Sequence, residues 1–151
     1  MSETKYFDDL SIGDNTTSAS RTITEADIVN FAGLSGDYNP IHIDNTYAEK
    51  SPFKQRIAHG LLVLSIASGL FTTTDLNLSM KGSLIALMDV KCQFKNPVFI
   101  GDTIHVVAEI KEKKETSKGD RGVIIMERNV FKQNGDIVQK IEATLMMRRK
   151  V

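Results

Sequence analysis

The second half of this chain carries four runs in which apolar and polar side chains alternate, and nothing else restricts its fold as strongly. Met88, Val90, Cys92 and Phe94 alternate with Asp89, Lys91, Gln93 and Lys95. That two-residue period belongs to a β-strand with distinct faces. Ile104, Val106, Ala108 and Ile110 repeat it after a break from Pro97 to Gly101. A third run, Val123 to Phe131, leads through Asn134-Gly135 into a fourth with Ile141, Ala143, Leu145 and Met147. Asn-Gly between two such runs is a hairpin signal, so the strands are expected to be antiparallel.

An apolar sheet face needs a cover, and one segment suits it. "HGLLVLSIASGLFTTT", His59 to Thr74, is apolar nearly all round, with Gly60, Ala67, Ser68 and Gly69 as small contact points. Such a helix is expected to be buried on every side. Upstream, Thr24 and Asp27 have capping-box spacing ahead of Ile28, Phe31, Ala32 and Leu34, and Gly36 is a plausible stop. Asn45 to Lys50 reads as a short helix closed by Ser51-Pro52. The expected architecture is α+β, a curved antiparallel sheet wrapped around one long central helix.

At 151 residues and 41% hydrophobic content the chain suffices for one domain, 1–151, with its own core. Nineteen basic residues balance nineteen acidic ones, which argues against a nucleic-acid or anionic-membrane partner. The single cysteine, Cys92, excludes an intramolecular disulfide and offers no metal-binding spacing. "MSETKYFDDL" lacks the features of a signal peptide, and the apolar run from Leu61 to Phe71 is too short for a bilayer. A cytoplasmic protein is therefore expected.

The chemistry is concentrated in "GDYNPIHID", Gly36 to Asp44. Pro40 fixes its own φ and biases Asn39 away from helix, so the segment is an ordered bend. On such a bend Asp37 and His42 can converge on one small molecule, hold a water and move its protons. Asn39 can orient that water without ionising. The same residue types also make an ordinary capped turn, and spacing alone does not separate the two. In "AHGLL", Gly60 opens the central helix, where its N–H has no helical acceptor and lies at the positive end of the dipole. It is a candidate oxyanion donor for a thioester carbonyl, or simply the start of a buried helix.

"FAGLSGDYNPIHIDNTYA", Phe31 to Ala48, closely resembles the signature of the MaoC-like dehydratases, the (R)-specific enoyl-CoA hydratase family. The family core Gly-Asp-x-Asn-Pro-x-His is matched by Gly36, Asp37, Asn39, Pro40 and His42, and "AHGLL" and "FKNPVFIGD" follow in the family's order. The resemblance implies a hot-dog fold, a homodimer, and reversible syn hydration of a trans-2-enoyl thioester to the (R)-3-hydroxyacyl thioester. By matching positions it implies Asp37 and His42 as catalytic pair, Asn39 as water-orienting residue and the Gly60 amide as oxyanion donor. It calls for no cofactor and no metal.

For substrate contacts, Ser68 and Phe71 on the central helix are candidates to wall the acyl pocket, with Phe71 shortening it. Lys91, Lys95 and Arg56 are candidates to meet the CoA phosphates. Three other activities fit the same scaffold: a dehydratase for thioesters on an acyl carrier protein, a thioesterase, and a non-catalytic acyl-thioester-binding subunit. Binding alone has no use for both Asp37 and His42, and hydrolysis does not need Asn39 and His42 in this motif. His59 is expected to fix the helix start, His105 to be exposed, and Cys92 to behave as a small buried hydrophobe.

Overall fold

The computed structural model describes residues 3–150. The four alternating runs are strands β3 (Leu84–Phe94), β4 (Thr103–Glu115), β5 (Arg121–Lys132) and β6 (Ile137–Arg148). They pair antiparallel in the order β4-β5-β6-β3. Two short strands, β1 (Asn15–Thr17) and β2 (Arg21–Thr22), pair with the outer side of β4 and complete a six-stranded sheet. Gly135, at φ 87°, makes the β5–β6 turn in a left-handed conformation that costs glycine little.

The helices are α1 (Glu25–Ser35), α2 (Pro40–Ile43), α3 (Asn45–Lys50), α4 (Gly60–Thr72) and α5 (Asp75–Met80). The Thr24/Asp27 capping box forms as expected: Thr24 Oγ1 accepts the Asp27 N–H at 3.2 Å, and the Asp27 carboxylate accepts the Thr24 N–H at 2.9 Å. Helix α4 lies along the inner face of the sheet. Leu62, Val63, Ile66 and Ala67 pack with Ile104, Val106, Val130 and Ile141, and Phe71 packs with Ile110, Met126 and Met147. Each such side chain, fully buried, contributes about 1.5–3 kcal/mol relative to exposure. Among the described residues, no helix is long and apolar enough to cross a membrane.

The structure departs from the sequence reading in three places. Helix α4 is not buried all round: Leu61 is 60% exposed, and Ser65, Ser68 and Gly69 lie on the same open side. The expected helix to Thr74 stops two residues earlier, because the Thr74 hydroxyl donates to the Phe71 carbonyl and accepts the Asn77 N–H that starts α5. Strand β3 buries neither face fully. Among the described residues its only neighbour is β6, and Leu84, Leu87, Met88, Val90 and Phe94 are all exposed.

Candidate active site

The site grows from the end of α1. Gly36 takes a left-handed conformation (φ 76°) and stops the helix, so the chain turns sharply just before Asp37. Asp37 Oδ1 then accepts the Asn39 N–H at 3.2 Å, a side-chain-to-backbone turn that steadies the carboxylate. Pro40 occupies the first position of α2, where its fixed φ and missing N–H suit a helix start. The bend expected at Asn39-Pro40 is thus one tight helical turn, and it carries His42 inward to 9% exposure.

His42 is gripped from three sides. Its Nδ1 lies 2.8 Å from the Ile57 carbonyl, which can only accept, so Nδ1 carries the hydrogen and Nε2 of the neutral ring offers a lone pair. Its own backbone carbonyl accepts from Arg56 Nε at 2.7 Å. Its ring face stacks on His59, with centroids 3.8 Å apart. His59 Nε2 in turn donates to the Asp37 carbonyl at 2.9 Å, and its ring meets the edge of Phe31. The buried His59 Nδ1 has no partner among the described residues.

These supports leave Asp37 Oδ2 and His42 Nε2 facing each other at 4.0 Å. That exceeds hydrogen-bond length, but a water about 2.8 Å from each would bond both at an angle of about 90°. Burial pushes the His42 imidazole below its ordinary range and the His59 ring acts in the same direction, while the Ile57 carbonyl and the Asp37 carboxylate oppose them. The ring therefore remains neutral at neutral pH. Asp37, His42 and His59 each place one possible ligand atom within 4.8 Å of the others. The two imidazoles are stacked, however, and stacked rings aim their lone pairs side by side instead of at one tetrahedral centre.

Gly60 follows His59 directly and is the first residue of α4, so its N–H has no helical acceptor. A Cβ here would come within 2.6 Å of the Phe94 ring, which makes glycine a packing requirement. The Gly60 carbonyl accepts from Gln139 Nε2 at 2.8 Å, tying the helix start to β6. A cavity of about 360 Å³ opens at Gly60 between Phe53, Phe94, Lys95, Val138 and Gln139. Asp37 and His42 do not line it; His59 connects them to it through the backbone.

The other candidates fall on both sides of expectation. Asn39 stands exposed at the head of α2, and its side chain caps nothing there. Lys95 lines the Gly60 cavity, whereas Lys91 does not and lies 3.6 Å from Glu142 of β6. Arg56 does not fit a phosphate-binding role. It is 8% exposed, bonding the His42 carbonyl and, at 2.6 Å, Glu25. Ser68 lines a second cavity of about 380 Å³ on the open side of α4. Phe71 does not join it there: it is 2% exposed, and the Arg128 guanidinium covers its ring at 3.8 Å. His105 is half-buried against the Phe131 ring, and Cys92 is partly buried with a thiol that burial pushes up. Sequence reasoning did not foresee Arg56, His59 and Gln139 as supports, because each acts on a residue far away in the chain.

The chain also matches known proteins over most of its length. Residues 11–129 match the family model described as "MaoC like domain". The chain is 36% identical over 146 residues to an (R)-specific enoyl-CoA hydratase of Rhodospirillum rubrum, covering 94% of this chain and 91% of that protein. It is 41% identical over 110 residues to Protein MaoC of Klebsiella aerogenes, but spans only 31% of that longer protein. A solved structure described as monoamine oxidase regulatory protein from Archaeoglobus fulgius superposes with a TM-score of 0.93 at 37% identity, covering 99% of this chain and 98% of that one. A Mycobacterium tuberculosis protein with a double hot-dog fold superposes at a TM-score of 0.80 and 17% identity, covering 97% of this chain and 45% of that one, so the architecture is a hot-dog.

Proposed function

Because the chain belongs to the MaoC-like domain family, we propose that it is a lyase that reversibly hydrates trans-2-enoyl-CoA to (R)-3-hydroxyacyl-CoA. The observation that carries this reading is the 4.0 Å gap between the Asp37 carboxylate and the bare Nε2 of a neutral His42. Water held in that gap has an acceptor for each proton. As its oxygen bonds to C3, one proton passes to His42 Nε2, and the C2=C3 electron pair moves toward the thioester oxygen. The Gly60 N–H receives that developing oxyanion. The imidazolium, held by the Ile57 carbonyl and the Asp37 carboxylate, returns the proton to C2 on the same face, which makes the addition syn. Asp37 orients the water and offsets the transient charge, and Asn39 is within reach to assist. Lys95, beside the Gly60 cavity, is suited to meet a CoA phosphate.

The exposed apolar edge of β3 suits a second copy of the chain. Its outer row of N–H and C=O groups lacks a partner strand among the described residues, and Leu84, Leu87, Met88, Val90 and Phe94 flank it. Antiparallel pairing of two such edges would make one continuous sheet and a homodimer.

The test follows the enoyl absorbance of crotonyl-CoA, with crotonyl carrier protein in parallel to distinguish the two thioesters. Asp37→Asn and His42→Ala should each lose at least about 100-fold in rate while retaining the wild-type circular dichroism. A folded variant that keeps its activity would remove that residue from the mechanism. A wild-type protein inactive on both thioesters would overturn the reading.

A further inference from the structure

The inner face of β5 holds two cations, of which Lys132 pairs with Asp102 at 3.3 Å and the other has no such partner among the described residues. Gly122, Ile124, Met126, Val130 and Lys132 are buried, and at the middle inward position stands Arg128. Its sheet neighbours are Ala108 on β4 and Ile141 on β6. The small Ala108 leaves room for the guanidinium to lie across Phe71. Arg128 Nε reaches only the Met126 sulfur, at 3.4 Å, and no carboxylate among the described residues pairs with this cation. Burial alone lowers it to about 10. An unpaired cation in an apolar setting costs free energy unless something compensates it. Arg128 lines the 380 Å³ cavity that Ser65 and Ser68 also line.

That cavity shares no lining residue with the one at Gly60, but the two have walls on the same three elements. Along α4 the walls run from Gly60 to Leu64 and Ser68, along β3 from Phe94 to Val90, and along β6 from Gln139 to Ile141. Gln139 bonds the Gly60 carbonyl, and Ile141, two residues on, is the direct partner of Arg128. Two residues of strand span about 7 Å. A five-carbon acyl chain puts its far carboxyl carbon about 5 Å from the thioester carbon, and a charge-assisted hydrogen bond adds about 2.8 Å. We propose that Arg128 is a substrate-binding residue, and that the enzyme takes 2-enoyl thioesters whose acyl chain ends in a carboxylate. The guanidinium receives that carboxylate while the Gly60 amide holds the thioester oxygen. The inference rests on the hydratase reading for its reaction but not for its binding.

The test uses the full chain as wild type, Arg128→Gln and Arg128→Lys. Hydration of trans-glutaconyl-CoA is compared with trans-2-pentenoyl-CoA, and calorimetric binding of glutaryl-CoA with pentanoyl-CoA. Wild type should prefer the acid in both assays. Arg128→Gln should lose about 10- to 100-fold on the acid with little change on the neutral chain, and Arg128→Lys should recover part of the loss. Equal treatment of acid and neutral ligands by the wild type overturns the proposal, whether or not the variants fold. So does a loss in Arg128→Gln that is the same for both ligands or appears only as a change of oligomeric state. If neither enoyl thioester is hydrated while glutaryl-CoA binding still depends on Arg128, the hydratase reading fails and the binding assignment stands.

Discussion

His42 is tuned by where its ring is held as much as by what it is. Burial and the stacked His59 depress its protonation, and the Asp37 carboxylate partly restores it. In an NMR titration its ring should therefore protonate below its ordinary value of 6.5, and Asp37→Asn should move the midpoint lower still. In the proposed mechanism the neutral ring is the base, so the acid limb of kcat/KM should follow the same lowered value. The stability consequence has a definite sign. As pH falls below 6.5 the unfolded chain takes up a proton that folded His42 resists. Stability held above 6.5 is thus lost as pH falls to the folded value, and then levels off. Urea titrations of wild type and His42→Gln should differ in their dependence on pH only within that window. The approach of Asp37 to His42 was legible at this scale because turn chemistry and a family-like motif lie within a few residues. Arg56 was misread, because an arginine's partners at Glu25 and the His42 carbonyl lie outside any local window.

At the scale of elements, α1 delivers Asp37, and its two ends were both readable. The Thr24/Asp27 box and Gly36 are signals of the unsatisfied backbone groups at helix termini, which depend on neighbours along the chain. Thr24→Ala should cost about 1 kcal/mol, seen as a lower urea midpoint at unchanged m-value, with hydration of crotonyl-CoA intact. The alternation in β4 and β6 likewise survived into the fold, with Ile104, Val106, Ala108 and Ile110 and then Ile141, Ala143, Leu145 and Met147 all buried. In β5 the period marked the faces correctly but gave no reason for a cation on the inner one. Only the cavity beside Ser68 supplies that reason. Phe71 shows the opposite failure: helical spacing aimed it toward the acyl pocket, and Arg128 covers it.

At the scale of the molecule, the open side of α4 and the bare edge of β3 are the features a single chain leaves unfinished. Met88 is 52% exposed on that edge. Wild type should sediment at twice the chain mass, and Met88→Lys should shift it toward monomer, since a lysine on an edge strand discourages pairing. A monomeric wild type at micromolar concentration would refute the pairing. What the amino-acid order determined by itself was local and periodic: the four long strands but not the short β1 and β2, where α1 begins and ends, which residues crowd the turn at Asp37. These follow from backbone sterics and from side-chain repeats a few residues long. What only the tertiary structure decided was convergence. The grip on His42 by Ile57, Arg56 and His59, the clasp of Gly60 by Gln139, and the meeting of Arg128 with Ser68 join residues 14 to 79 positions apart or on different elements. No sequence period encodes such meetings, because they arise when a sheet closes around a helix.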